Sequence, residues 1–581
     1  MTDGDAVADD SAAGNGGAAR LVLGPLLRYV SETAATIWVE TDRACQAEIL
    51  GHRARTFEVS GHHYALVVID GLRPGAEYEY QVALDGVVRW PEPDSEFPPS
   101  VLRTTDPGRP LRLSYGSCRI AELPAPPRRR SASRARRDGE DHGPDAMVAY
   151  ALDLRAMPHE RWPDLMLLIG DQVYADEVGP ATRRFIEQRR DPSRPPGYEI
   201  ADFAEYCFLY REAWGEPSVR WLLSVVPTAM IFDDHDVHDD WNISASWRRD
   251  FQAKPWWQAR IRGAYGSYWI YQHLGNLSPG ELAKDELWQR VQQPGDAAGV
   301  LADFAARADQ RAEGIRWSFR RASRSPPPAP RRRRAGRVLG NGQRLMVSQA
   351  EWRWITESAA GDWDHVVLAT SLPLLLPYGI HALEAWNEAV CGGAWGQRPA
   401  RAGERLRRAV DLEHWAAFGR SFADFERLLA GLAAGGYGKA PASVTVISGD
   451  IHHSYLAAVD LRAGASTRTA VYQAVCSPIH NVLPRSMRRG QRLATSRAGE
   501  LAGVALARLA GVGKPGIRWR ITHGPWFDNM LAALEFHGDG ARIRFDRAAT
   551  DESGNPRLQP VCETPLLPQR PGTAVSAPAG R

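Results

Sequence analysis

Cysteine is scarce in this sequence: there are six in 581 residues, at Cys45, Cys118, Cys207, Cys391, Cys476 and Cys562, with no CxxC pair among them. That spacing excludes a disulfide scaffold and points to reduced thiols. Long apolar runs are missing as well. The longest, such as Val366–Pro377, fall short of the roughly 20 residues that a bilayer-spanning helix needs. The first twenty residues, MTDGDAVADDSAAGNGGAAR, have neither the basic n-region nor the apolar h-region of a secretory signal. A cytoplasmic protein with no membrane partner is therefore expected. An excess of one charge is lacking too, since the formal net charge is only +2, which says nothing about partners. No internal repeat is visible.

What is present is an ordinary globular composition, 44% hydrophobic and 24% charged, in a chain too long for one core. Residues 1–20 read as a disordered N-terminus. Over 21–105, short alternating runs (TAATIWVE, AEIL, YALVVI, EYEYQVAL) are punctuated by Gly, Pro and Asp, which predicts a small β-sandwich with nothing catalytic in it. Within it, Gly71–Val82 resembles a strand pair of a fibronectin type III or Ig-like domain. A larger α/β domain is expected over 106–549, with a helical insertion at about 245–340 that ends in RRASRSPPPAPRRRRAGR. The Arg clusters at Arg128–Arg137 and Arg331–Arg334 sit in Pro-, Ser- and Ala-rich stretches that read as loops. LAALEFHGDGARIRFDRA predicts a strand pair closing a second sheet, and residues 550–581 read as a disordered tail.

In the α/β domain, five short apolar runs each end abruptly in polar residues. They are LRLSYGSCR from Leu111, DLMLLIGDQVYAD from Asp164, VVPTAMIFDDHDVHDDW from Val225, HVVLATSLP from His365 and SVTVISGDIHHSY from Ser443. Such runs suit strands buried on both faces, and the helical stretches between them predict a largely parallel central sheet. Ligands of open α/β sheets bind outside the carboxyl ends of the strands. There this sequence places Ser117 and Cys118; Asp171 and Tyr174; Asp233, Asp234, His235 and Asp236, followed by His238, Asp239 and Asp240; Thr370 and Ser371; and Asp450, His452 and His453. Each alone is ordinary, because a Gly-Asp pair is a common turn and a lone Cys a small hydrophobe. Together, several carboxylates and imidazoles packed at one sheet edge would cost several kcal/mol in repulsion and desolvation unless cations neutralise them. A metal site follows from the combination.

GSCR, GDQVYAD, FDDHD with a following DDWN, and SGDIHHS, in that order, closely resemble the motifs of the PhoD-like branch of the calcineurin-type metallophosphatases, over about Leu111 to Ala548. The resemblance implies a four-layer αββα sandwich preceded by the small all-β domain. It implies hydrolysis of phosphomonoesters or phosphodiesters by a metal-activated water at a dinuclear site. By the same resemblance Asp171 bridges two cations, Cys118, Tyr174 and His452 complete a ferric site, and Asp234 and Asp450 hold the second ion. Oxygen ligands there favour Ca²⁺, with Mg²⁺ or Mn²⁺ as alternatives. His235 would contact phosphate and protonate the leaving group, with Asp236 orienting it or binding metal. Arg119 would help to stabilise charge on the phosphoryl oxygens, and Asp240 and Asn242 would lie near the second ion. The implied substrate is a small-molecule or polymeric phosphate ester, with nucleic acid as a substrate only. The twin-arginine signal that often exports such phosphatases is absent. Two other readings stay open: a nucleic-acid-binding protein or nuclease using the Arg-rich segments, and a catalytically silent metal-binding protein of the same fold.

Overall fold

Two β-sheets lie face to face in the larger domain, and a β-sandwich packs against one side. The computed structural model describes residues 17–121, 142–310, 319–320, 338–340, 343–461, 468–483, 488 and 496–568. Both Arg clusters read as loops, residues 1–16 of the expected N-terminal disordered segment, and residues 569–581 of the expected tail lie outside the described residues.

In the N-terminal module, the strands Leu21–Val30, Ala35–Thr41, His62–Ile69 and Phe57–Val59 pair in that spatial order. They face a second sheet built from His52–Arg55, Gln46–Ile49, Val82–Leu84 and Val87–Trp90. Period-two alternation explains why Ala35–Thr41 is buried along its whole length. Ala35, Ile37 and Val39 point into the sandwich core. Trp38 points the other way, into the core of the larger domain. Both faces of this strand are therefore interior, and the module is a structural layer of the fold rather than a tethered appendage.

The first sheet of the larger domain runs Thr228–Ile231, Leu165–Ile169, Leu111–Gly116, Met530–His537, Gly540–Thr550, Pro556–Pro565. Its first three strands are parallel and the rest antiparallel. The second sheet runs His365–Ala369, Ser443–Ser448, Ala470–Val475, Ser454–Leu461, Ile517–Trp526, again parallel and then antiparallel. The run Leu165–Ile169 shows what a two-faced strand buries. Leu167 and Ile169 enter the layer between the sheets, while Met166 and Leu168 enter the layer under the helices Ala146–Arg155 and Pro217–Val225. On the far side, Val444, Val446 and Val471 pack on Phe422, Phe425 and Leu429 of the helix Gly419–Ala433. Helix, sheet, sheet, helix is the αββα sandwich expected. Among the described residues, no helix is long and apolar enough to cross a membrane.

The structure corrects the sequence reading in three places. The five apolar runs do not share one sheet, since three build the first and two the second. The hairpin Met530–Thr550 extends the first sheet, pairing Leu534 with Leu113. The tail expected from residue 550 instead carries the strand Pro556–Pro565, which pairs with Gly540–Thr550. Three prolines made that stretch look unstructured, but proline is tolerated where a strand forms a sheet edge, and this strand is the edge.

Residues 245–309 are mainly helical, with α-helices at Ala245–Gln252, Trp257–Ser267, Pro279–Leu282, Glu286–Val291 and Ala298–Asp309. Between the second and third lies a π-helical turn, Tyr268–His273, in which the Leu274 N–H reaches back to the Trp269 carbonyl.

Candidate metal centre

The polar residues at the strand ends converge because the chain turns sharply as each strand stops. Cys118, Asp171, Asp450 and His452 all have positive φ, at 59°, 28°, 70° and 51°. Such conformations cost non-glycine residues about 1–3 kcal/mol each and collect at functional sites. Gly449 brings the ends of the two sheets together, since a Cβ there would collide with Ser117 Oγ. That hydroxyl instead accepts the Asp450 N–H at 3.0 Å.

Three of the expected ligands meet at one oxygen. The Cys118 thiol and the Tyr174 hydroxyl both donate to Asp171 Oδ2, each at 3.4 Å. Ligand atoms of Asp171, Asp234 and His235 lie within 4.8 Å of one another, as do those of Asp233, Asp234 and Asp450. Asp234 is common to both groups, and the site is one continuous patch. Asp233 is thus drawn into the second group beside the residues the resemblance named. His452 shares the loop of Asp450, but its ring nitrogens fall outside both groups. Asp240 donates its N–H to Asp234 Oδ2 at 2.8 Å, and like Asn242 it has positive φ.

Two expected roles are corrected. Asp236 neither orients His235 nor faces the ligand groups. Its Oδ1 accepts the Val173 N–H at 3.3 Å and the Gln272 side-chain amide at 3.1 Å, and its Oδ2 accepts the Asp233 N–H at 3.0 Å. Asp176 takes the orienting role, with His235 Nδ1 lying 3.0 and 3.1 Å from its two oxygens. Arg119 is a strut. Its Nε pairs with Asp145 at 2.8 Å and its Nη1 donates to the Ala213 carbonyl, while Asp145 caps the helix Ala146–Arg155. Those two contacts hold protein together.

Other contributors escape sequence reasoning. His414 bridges two carboxylates, with Nδ1 2.6 Å from Glu384 and Nε2 3.1 Å from Asp450. Glu413 raises the electrostatic load on Asp234 and Asp240, and Asp411 that on Asp240. None of these follows a strand, so the pattern that exposed the rest does not reach them. Asp176 had a signal, as the last residue of GDQVYAD.

The charges explain what the cluster is for. Burial pushes the Asp171 carboxyl up to about 7, with His235 pulling it back and Asp450 pushing it further. Burial, then Glu413, raises Asp234 well above the carboxylate range. Burial with Glu413 and Asp411 raises Asp240 to about 9. The Cys118 thiol is likewise raised, by burial and then by Asp171 and Asp450. Burial alone would lower His235, but Asp176 and Asp234 hold its imidazole charged well above the ordinary value. Asp171 Oδ1 and Asp240 Oδ1 are buried and find no hydrogen-bond donor among the described residues. Orphaned carboxylate oxygens in a crowd of acids are costly unless cations take them, displacing the protons. The donor types fit: thiol, phenol and carboxylate together for one ion, carboxylates alone for a harder one.

Residues 18–102 match the model of a domain of unknown function, DUF7800. Residues 147–501 match that of the PhoD-like phosphatases. No curated protein matches the sequence. Among solved structures, that of PhoD superposes with a TM-score of 0.52 at 12% identity, covering 96% of this chain and 92% of that one. At that identity the likeness shows the fold alone. A maltogenic amylase from S. marinus aligns at 9% identity over 92% of this chain and 80% of its own, with a TM-score of 0.16 that supports no comparison. Because the second family model spans more than half of the chain and its fold is the one described, this protein belongs to the PhoD-like phosphatase family and hydrolyses phosphate esters in a metal-dependent way.

Proposed function

We propose that the centre is dinuclear and hydrolyses phosphomonoesters or phosphodiesters by direct attack of water, without a covalent phospho-enzyme. The observation that carries this reading is the sharing of Asp234 between two donor groups, beside an Asp171 that meets Cys118 and Tyr174 through one oxygen and leaves the other buried with no donor among the described residues. Cys118, Tyr174 and Asp171 would hold a ferric ion, with His452 as a further ligand, and Asp233, Asp234 and Asp450 a Ca²⁺ or similar hard cation. When bound, the two ions supply a water acidified enough to attack phosphorus and a positive clamp on the phosphoryl oxygens. The protein's own groups do the rest. His235, protonated and oriented by Asp176, donates a proton to the leaving oxygen as the ester bond breaks. His414 and Glu384 fix the rotamer of Asp450, in the manner of groups that orient metal-bound side chains.

Elemental analysis of the purified protein, together with hydrolysis of a panel of mono-, di- and nucleotide phosphate esters, tests the reading. Two metal equivalents per chain and ester hydrolysis are expected. Asp171→Asn should lose both while keeping its circular dichroism, because an amide supplies neither the charge nor a second equivalent oxygen. A single metal equivalent with full activity would overturn the dinuclear assignment.

A further inference from the structure

Asp236 is where the two metal-bearing loops of the first sheet are tied together. It accepts one backbone N–H from Val173, between Asp171 and Tyr174, and one from Asp233, beside Asp234. Its third donor, Gln272, comes from the π-helical turn Tyr268–His273, and the same amide also donates to the Tyr210 hydroxyl at 2.9 Å. A π-turn interrupts the regular ladder and is a common device at functional sites. This one sits just before a helix end, where terminal carbonyls have no partner within the helix.

Those carbonyls are taken by a residue of the N-terminal module. Arg28, on the strand Leu21–Val30, is fully buried. Its Nη1 donates to the Tyr271 carbonyl at 2.5 Å and its Nη2 to the Gln272 carbonyl at 2.6 Å. Its Nη2 also reaches Asn276 Oδ1 at 3.2 Å, and its Nε reaches the Thr228 carbonyl at 3.3 Å. Thr228 opens the strand Thr228–Ile231, which leads into Asp233 two residues later, and Asn276 exchanges two hydrogen bonds with the Met230 backbone in that strand. Gly275 leaves room for the guanidinium, since a Cβ there would run into Arg28. A cation at a helix C-terminus is also electrostatically favoured.

We infer that the N-terminal β module is part of the catalytic apparatus: Arg28 clamps the π-turn so that Gln272 holds Asp236, and Asp236 sets the spacing of the loops carrying Asp171 and Asp234. Arg28 and Gln272 are positioning residues, and the module's function is to set the metal geometry. The inference rests on the metal-centre reading above, and the test separates the two. A purely structural Arg28 would matter for stability alone. A positioning Arg28 also governs metal retention in the folded protein.

Gln272→Met keeps the length of the side chain and removes the amide donor, and Arg28→Met removes the clamp. Each variant and the double variant would be compared with the parent full-length protein. The readouts are melting temperature, iron and calcium content after graded EDTA treatment, and kcat and KM on bis(p-nitrophenyl) phosphate. Outer-shell partners of metal ligands typically govern retention or activity by roughly 10–100-fold. Each single variant should lose that much in metal retention, and kcat with it, with its fold intact. The double variant should lose little more than the worse single one, because both act along one route. If the parent itself binds no metal, the metal-centre reading fails. If the parent binds metal and folded Gln272→Met or Arg28→Met retains it equally, this inference alone fails, as it does if the two losses are independent. Should Arg28→Met not fold, Gly275→Ala, which displaces the same guanidinium and keeps its charge, carries the same expectation and the same refutation.

Discussion

Replacing Asp176 by Asn isolates the charge that supports His235. The native carboxylate is 3.0 and 3.1 Å from Nδ1 through its two oxygens and also accepts the Asp239 N–H at 2.8 Å. The side chains are only 21% and 11% exposed, so solvent screens the pair weakly. An amide oxygen can still accept from Nδ1, which keeps the ring oriented while the negative charge is gone. A hydrogen bond to a charged group contributes about 1.5–3 kcal/mol. The other charges that raise His235, from Asp234 and Asp171, are the ones that bound cations neutralise. With metals in place, Asp176 is then the main support of the imidazolium. Its loss should lower the His235 pKa. The protonated, proton-donating form exists below that pKa, so the alkaline limb of the kcat profile should move to lower pH. At neutral pH kcat should fall roughly 10–100-fold, with KM and metal content little changed. The assay is kcat and KM on a chromogenic phosphate ester across pH, with elemental analysis of the same preparation. An unmoved alkaline limb would refute the role given to His235. So would parallel loss of metal, since Asp176 would then hold the centre together rather than the imidazole.

Tyr174→Phe should abolish or shift a visible ligand-to-metal charge-transfer band and leave partial activity; an active, colourless, iron-free parent protein would assign that site to another metal. Replacing His414 by Phe frees Asp450 from its clamp and should weaken metal retention by roughly tenfold, read by EDTA titration, whereas unchanged retention would make the Glu384–His414 pair a packing feature. In metal-stripped protein, the folded Asp171 carboxyl holds its proton up to about 7 against an ordinary value of 3.8. The folded state therefore binds more protons than the unfolded one between those values, and stability falls as pH rises through that window, by at most about 4 kcal/mol. Metal-loaded protein should lack that fall, and melting curves from pH 4 to 8 with and without metal would show the difference.

The parts of the site legible in the sequence are those where one strand delivers its own polar residue. Leu165–Ile169 is apolar because both its faces are interior, and Asp171 follows at once because the strand end is where a ligand can be reached. The same local rule exposes Cys118, Asp233, Asp234 and Asp450. Fold class was equally readable, since two-faced apolar runs alternating with helices leave few architectures. Sheet membership was not. Nothing in LRLSYG or HVVLA says which of two stacked sheets a strand will join, because both need the same apolar faces. Pro556–Pro565 was misread because a strand's tolerance for proline depends on whether a neighbour lies on its far side, and no local signal reports that.

The roles of Asp236 and Arg119 were misassigned for a related reason. Both residues sit where chemistry is expected, but they are tied to partners distant in sequence: Gln272 for Asp236, and Asp145 and Ala213 for Arg119. A carboxylate whose two oxygens take two backbone N–H groups and an amide has little capacity left for a metal or a ring. The same accounting, run the other way, sets Asp171 apart from Asp236, since its buried Oδ1 finds no donor among the described residues. A carboxylate whose acceptor positions are filled shapes the site, as Asp236 does, and in the proposed centre an open oxygen such as that of Asp171 is the one offered to a cation. Arg28, in a module with no strand-end chemistry, shapes the site as well, its influence reaching the centre through Gln272.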